Sequence, residues 1–386
     1  MVNLQTFKIL IVAEGAAWAG IENHLVDLIP HIIGNKSIVC DVLLFADGAL
    51  ADSLRSKGIR VVIVKKGNFF VTLVHLINHI TKNRYNIIHT HSNVALYIGL
   101  CLPFFIRRIY WINTQHSKPE PLVGRNKFKG RIAEQAICFF MKYFPSARVI
   151  AVSKDLAEWL IRHKQISHEK IRVIRNGISL PKIDNVAKQR CFEKFGYGVE
   201  TFSMCVVGRL VPVKGHKYLI EALQILSENI FFTKKCQLLV IGDGPLLQEL
   251  KEQCIEADIV NQVSVIGFRD DARLIMAVSD VIIIPSIHEG IPYTLLEAMA
   301  LMRPIIASDV GGLQEILTHG HDAHLVPPSD SIALAKAIQF VAEDKWYAKR
   351  LATEAFYTVK EKYSAKKMAS ETVNAYLTMW NSSEKF

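Results

Sequence analysis

The sequence predicts an α/β protein built from two Rossmann-like, doubly wound domains, and three observations predict it. Short apolar runs rich in Val and Ile recur along all 386 residues. Helical patterns with 3.6-residue spacing lie between them, as in Val71–Asn83. Loops carrying glycine follow several of the runs. Continuous apolar runs fit strands buried on both faces, and their alternation with helices fits a parallel sheet covered on both sides. A polar stretch containing Pro and Gly at 181–197 separates a first domain, 1–180, from a second, 198–367.

Composition narrows the class. Half of the residues are hydrophobic, enough for two cores. No apolar run reaches the ~20 residues that span a bilayer. The longest, Val94 to Ile106, is interrupted by Pro103 and closed by Arg107-Arg108, so it reads as a buried helix. The N-terminus lacks a signal peptide's cleavage pattern and runs straight into a strand. Seven cysteines lie far apart, with no C-x-x-C and no His/Cys spacing for zinc. Free buried thiols in a cytoplasmic protein are expected. The net charge of +10 is uneven: residues 1–176 hold 24 Lys and Arg against 11 Asp and Glu, whereas the remainder is slightly acidic. The first half is therefore the one suited to an anionic partner, whether membrane, nucleic acid or acidic substrate.

In chain order, Phe7 to Ala13 is the first strand, followed by Glu14–Gly20 and a helix from about Ile21 to Ile33. A glycine-bearing loop between strand and helix can cradle phosphate, but small residues also make ordinary tight turns. Asp41–Phe45, Arg60–Val64, Asn86–Thr90, Ile109–Thr114, Arg148–Val152 and Ile171–Ile174 read as further strands. His89 and His91 end one of them and His116 follows another, positions where histidines are usually structural or solvated. Lys65-Lys66 precede Phe69-Phe70, and Lys118, Arg125, Lys127, Lys129 and Arg131 surround Phe128. These are either a solvated basic rim or a surface for anionic lipid headgroups with aromatics dipping in.

The second domain opens on Phe202–Val207, closed by Gly208-Arg209-Leu210 and Lys214-Gly215 ahead of a helix from His216 to about Asn229. Arg209 and Lys214 read as an ordinary surface loop or as a diphosphate clamp, in which Arg forks two oxygens and Lys acts as a point charge. Leu238–Ile241 and Val263–Ile266 follow, the first closed by a tight turn at Gly242–Pro245 and the second leading into Gly267-Phe268-Arg269. Val281–Ile284 is a strand, Ser286–Gly290 a loop, Pro292 the start of a helix to about Met302, and Pro304–Ala307 a strand ending near Gly311-Gly312. Glu289 lies in the loop, and Glu297 stands among Leu295-Leu296 and Ala298-Met299-Ala300. A carboxylate so placed is costly unless hydrogen-bonded, and it is too far into the helix for a capping box. By spacing alone the two acids are a surface acid and a buried acid paired with a base. The alternative is a pair of acceptors for a hydroxyl-rich ligand, with a helix N-terminus between them for phosphate. Asp330 to Phe386 is helical.

Glu289-Gly290, Glu297-Ala298-Met299-Ala300, Pro304, Ala307-Ser308-Asp309, Gly311-Gly312 and Leu325–Pro328 resemble the donor-site signature of family-four retaining glycosyltransferases. Gly208-Arg209-Leu210 with Lys214-Gly215, Ala19-Gly20-Ile21-Glu22 and Asn176-Gly177-Ile178 extend the resemblance, which is thinner in the first domain. The family usually has Gly where Met302 and Ala323 stand and Pro where Gln314 stands. Met302 near a helix end replaces a left-handed cap, at a cost of roughly 1 kcal/mol.

The resemblance implies the GT-B fold, with two domains facing across a cleft and a last helix, about 368–386, crossing back to the first domain and burying Trp380. It implies a retaining transferase moving sugar from a nucleoside-diphosphate sugar to a glycan or lipid-linked acceptor, in cell-envelope polysaccharide or glycolipid synthesis. Its implied catalytic residues are His116, Arg209, Lys214 and Glu289. Its implied donor contacts are Gly20, Gly208, Phe268, Arg269, Gly290, Ile291, Thr294, Leu295 and Glu297. No Asp-x-Asp occurs, so neither metal nor cofactor is expected in the transfer. Lys65, Lys66, Phe69, Phe70, Lys127, Phe128, Lys129 and Arg131 are the candidate membrane or acceptor surface, on the inner face of the membrane. A nucleotide-sugar epimerase or phosphorylase of the same architecture, and a non-catalytic nucleotide-binding module, remain alternatives. A nucleic-acid binder would account for the basic half but not for the signature.

Overall fold

A computed structural model describes residues 7–15, 20–35, 37–91, 94–101, 109–118, 127–182, 201–228, 232 and 236–381, with backbone alone at 127–133. The chain divides into two compact units, 1–177 with 365–386, and 178–364.

The first unit holds a seven-stranded parallel sheet in the order β3-β2-β1-β4-β5-β6-β7. Its strands are β1 (Phe7–Ala13), β2 (Ile38–Leu44), β3 (Val61–Ile63), β4 (Ile87–His91), β5 (Tyr110–Gln115), β6 (Ala147–Ala151) and β7 (Ile171–Val173). Central β1 is almost wholly buried, which is why FKILIVA carries one charge, at its edge. Helices α1 (Gly20–Ile33), α2 (Ala49–Ser56), α3 (Phe69–Asn83), α4 (Ala95–Cys101), α5 (Lys127–Tyr143) and α6 (Lys154–Lys164) join them. Asn68 caps α3 by accepting from the Phe70 amide at 3.0 Å, and Ser153 caps α6 by accepting from Leu156. Each cap fixes where its helix starts.

The second unit holds a six-stranded parallel sheet, β10-β9-β8-β11-β12-β13. Its strands are β8 (Phe202–Val207), β9 (Cys236–Ile241), β10 (Val263–Gly267), β11 (Val281–Ile284), β12 (Ile305–Ser308) and β13 (His324–Val326). Its helices are α7 (His216–Leu226), α8 (Leu247–Glu256), α9 (Ala272–Val278), α10 (Tyr293–Ala300), α11 (Gly311–Gln314), α12 (Ser331–Glu343) and α13 (Lys345–Lys362). Helix α10 ends at Ala300, and Met302 takes φ 54°, the left-handed conformation expected of a residue standing where glycine is usual.

The last helix, α14 (Ala365–Asn381), belongs to the first unit. Met368, Ala369, Tyr376 and Met379 join a core with Ile9, Leu25 and Ile29. The expectation for Trp380 needs correction: it is half-buried, its ring stacked on Phe7 at 6.4 Å, and the fully buried aromatic is Tyr376. Tyr376 lies on the apolar stripe with Met368, Thr372 and Met379, whereas Trp380 falls at its edge. The linker expected at 181–197 lies outside the described residues beyond 182.

In each sheet the strand order reverses once, between β1 and β4 and between β8 and β11. Loops leaving the carboxyl ends on either side of such a point diverge and leave a crevice.

Candidate functional site

In the second unit the crevice lies between the loops after β8 and β11. Lys214 closes a 3₁₀ turn, Pro212–Lys214, and Glu289 sits in the loop after β11. The Lys214 Nζ donates to Glu289 Oε1 at 2.5 Å, and Ser286 Oγ donates to the same oxygen at 2.8 Å. They line a small solvent-open pocket with Val206, Gly208, Pro292 and Thr294. Glu289 is 8% exposed, so two donors and one carboxylate are held in a partly dry setting.

Glycine makes this closeness possible. A Cβ on Gly215 would lie 1.9 Å from the Pro285 carbonyl oxygen, and one on Gly312 2.3 Å from that of Gly290. Gly215 also takes φ +68°. The Ile287 amide donates to Val213 O at 2.8 Å and the Gly312 amide to Glu289 O at 2.9 Å. The loops therefore brace one another backbone to backbone, and Lys214 and Glu289 inherit fixed positions.

Glu297 is also 8% exposed, and the Arg273 guanidinium of α9 donates to its Oε1 through Nη2 at 2.6 Å and Nε at 3.2 Å. The buried acid thus has the basic partner that spacing alone called for. Thr294 Oγ1 donates to the Val207 carbonyl at 3.4 Å, tying α10 to β8. Ile291 and Leu295 lie in the hydrophobic core, so their side chains support the loop and do not face the cavity. Arg209 and Phe268 are exposed, and Arg269 is gripped by Asp271 at 2.5 Å and 2.7 Å. Gly290 stands between Glu289 and the core residue Ile291.

Sequence reasoning passed over His216. It opens α7, lines the same cavity and is 3% exposed, and neither ring nitrogen has a hydrogen-bond partner among the described residues. Burial, helped by the Lys214 charge, lowers its pKa from 6.5 to about 4, so it is neutral at pH 7. Its place directly after Lys214-Gly215 is the signal that could have found it.

In the first unit, register puts His91 of β4 opposite Thr114 of β5, and His116 follows one residue past β5. His91 Nδ1 lies 3.1 Å from His116 Nε2. His24 of α1 joins them, its ring 4.9 Å from that of His116 and 5.2 Å from that of His91. His89 lies behind, with Nδ1 2.6 Å from the Tyr376 hydroxyl and Nε2 2.7 Å from Thr114 Oγ1. Burial lowers the pKa of all four, to about 4 for His24 and about 3 for His89. His116 is therefore not the isolated histidine its sequence position describes. Gly20 opens α1 with free space where a side chain would be.

Of the candidate membrane residues, Lys65, Phe69 and Phe70 are exposed, Phe70 at 74%. Lys66 is tied to Glu14 at 2.6 Å and lies over the Phe45 ring. Lys118 pairs with Asp155 at 2.9 Å. The side chains of Lys127, Phe128, Lys129 and Arg131 lie outside the described residues.

Comparison with known proteins decides the family. The model for Glycosyltransferase Family 4 matches residues 18–181, and that for Glycosyl transferases group 1 matches 188–356. An uncharacterized glycosyltransferase of Methanocaldococcus jannaschii is 30% identical over 300 residues, 76% of this chain and 75% of that protein. The chain belongs to glycosyltransferase family four. This transferase is also similar to the UDP-Gal:α-D-GlcNAc-diphosphoundecaprenol α-1,3-galactosyltransferase of Escherichia coli, 27% identical over 71% of this chain and 70% of the other. Anabaena HepE in complex with UDP-glucose superimposes with a TM-score of 0.83, over 96% of this chain and 99% of that one at 23% identity. WaaG, a glycosyltransferase involved in lipopolysaccharide biosynthesis, gives a TM-score of 0.73 over 95% and 99% at 15% identity. These likenesses establish the GT-B fold of the transferase. Among the described residues no helix is long and apolar enough to cross a membrane.

Proposed function

We propose that this glycosyltransferase moves a sugar from a nucleoside-diphosphate sugar to a glycan or lipid-linked acceptor in envelope polysaccharide or glycolipid synthesis, with retention at the anomeric carbon. The observation that carries the reading is the braced Lys214–Glu289–Ser286 group in the crevice where the second sheet's strand order reverses. Lys214 and Arg209 are assigned to offset charge growing on the leaving diphosphate. Glu289 and Glu297 supply acceptors for hydroxyls of the sugar and the ribose, with Gly208 and Thr294 lining the cavity and Gly290 beside Glu289. Phe268 and Arg269 are assigned to the nucleobase, and His116 and Gly20 keep the roles that the family resemblance implies for the first unit. The acceptor hydroxyl oxygen bonds to the anomeric carbon as the bond to the diphosphate oxygen breaks, and the hydroxyl proton passes to that leaving oxygen.

The UDP-sugar named for the Escherichia coli relative and the UDP-glucose in HepE support a nucleotide-sugar donor. The direct test is a panel of nucleotide sugars with release of nucleoside diphosphate measured. Release with one donor and a lipid-linked acceptor is expected, undiminished in excess chelator, because fixed cations do the work of a metal. Activity lost to chelator and restored by magnesium or manganese would overturn the metal-free part. Interconversion of the sugar without transfer would favour an epimerase.

Glu297→Gln should weaken nucleotide binding by about 1–3 kcal/mol, the range for a lost charged hydrogen bond. Calorimetry checks it. Equal affinity with a lowered melting temperature would confine Glu297 to its pairing with Arg273.

We also propose that α3 rests on an anionic membrane. Residues 65–71 are all exposed, Val74 is exposed on the same helix, and Lys65 flanks the apolar strip Phe69, Phe70 and Val71. Aromatic insertion with nearby cations gives reversible attachment, each cation adding roughly 1 kcal/mol. Flotation with anionic but not neutral vesicles, weakened by salt and by Phe70→Ser/Val74→Ser, is expected. Equal recovery without vesicles would leave a soluble acidic acceptor as the reason for the basic half.

A further inference from the structure

We propose that His24, His91 and His116 form a binding site for a divalent transition-metal ion of the zinc class. One ligand nitrogen from each lies within 4.8 Å of those from the other two. The 3.1 Å between His91 Nδ1 and His116 Nε2 is close to the roughly 3.3 Å that tetrahedral bonds of about 2.0 Å to one zinc impose. The described residues thus already hold two ligands at near bonding separation, with the third beside them.

The surroundings suit imidazole ligation. The Asn176 Oδ1 lies 3.0 Å from His24 Nδ1. An amide oxygen only accepts, so Nδ1 carries the proton and Nε2 is the nitrogen that would ligate a metal. His91 is 1% exposed, so its Nδ1 faces His116 in a dry setting. His89, fully engaged by Tyr376 and Thr114, cannot ligate, but it packs on His91 at 4.4 Å between ring centres and fixes that ring. His116 is only half-buried, which gives an ion its way in. The three residues come from α1, β4 and the end of β5, so a bound ion would pin these elements at the reversal point of the first sheet.

The site shares His116 with the catalytic set that the family resemblance implies, but its tests use the full chain without donor or acceptor. Failure of the metal site would therefore leave the transfer reading standing. Cobalt titration should give the visible absorption of tetrahedral cobalt, saturating at one ion per chain and displaced by zinc. His91→Ala and His24→Ala should weaken binding at least tenfold, and Asn176→Leu by about 10–100-fold through lost orientation of His24. His216→Gln should not change it. X-ray absorption on zinc-loaded wild-type protein should count three imidazole nitrogens, a readout that needs no variant to fold. Absence of the cobalt spectrum at stoichiometric metal, or a zinc shell with fewer than two imidazoles, would overturn the site.

Discussion

Lys214→Ala is expected to lower kcat by ~10²-fold or more, the usual loss when one preorganised charge-stabilising group is removed. Arg209→Ala should act in the same direction. The Lys214 ammonium is immobilised by Glu289 at 2.5 Å before any substrate arrives, so it needs no rearrangement as phosphate charge develops. A stability effect must be separated from this. Removing Lys214 leaves a carboxylate, 8% exposed, with Ser286 as its remaining donor among the described residues, and a buried charge that has lost its partner is destabilising. The double variant Lys214→Ala/Glu289→Gln should recover melting temperature but not turnover. A single variant that changes KM alone would show that Lys214 binds ground state and transition state equally.

The second large effect concerns acid. His216 has a folded pKa of about 4 against 6.5 when unfolded. Above about pH 6.5 both states hold it neutral, and it makes no difference to stability. As pH falls from 6.5 toward 4, the unfolded chain takes up a proton that the folded chain refuses, so stability is lost across that window. At ~1.4 kcal/mol per pKa unit the loss is about 3 kcal/mol once pH 4 is reached. Comparing wild type with His216→Gln by thermal melts between pH 7.5 and 4 isolates this group. The wild type should lose stability more steeply below pH 6.5. Parallel curves would mean that water reaches the ring and that its charged form is tolerated.

Much of the fold was written locally. Phe202–Val207 and Val281–Ile284 are strands over the residues their apolar runs mark, because a strand buried on both faces must be apolar throughout. The left-handed turn at Met302 was legible too, from the position of a residue at a helix end. Helix ends were less so: the helix at His216 stops at Leu226 and not near Asn229. Ile291 and Leu295 carry a signature that names them as donor contacts, yet their side chains fill the core, because a motif records position and not which way a side chain points.

The sequence by itself determined two alternating α/β domains and the family, and it named the strand-end residues proposed for the chemistry, since each rests on short-range pattern. Only the tertiary structure decided their pairings. Lys214 finds Glu289 across 75 residues, and Arg273 finds Glu297 across 24. His24, His91 and His116 meet although α1, β4 and the end of β5 are far apart along the chain. Parallel strands must return through long crossovers, so the groups that meet at a sheet's carboxyl edge are distant in sequence, and no local spacing can announce them.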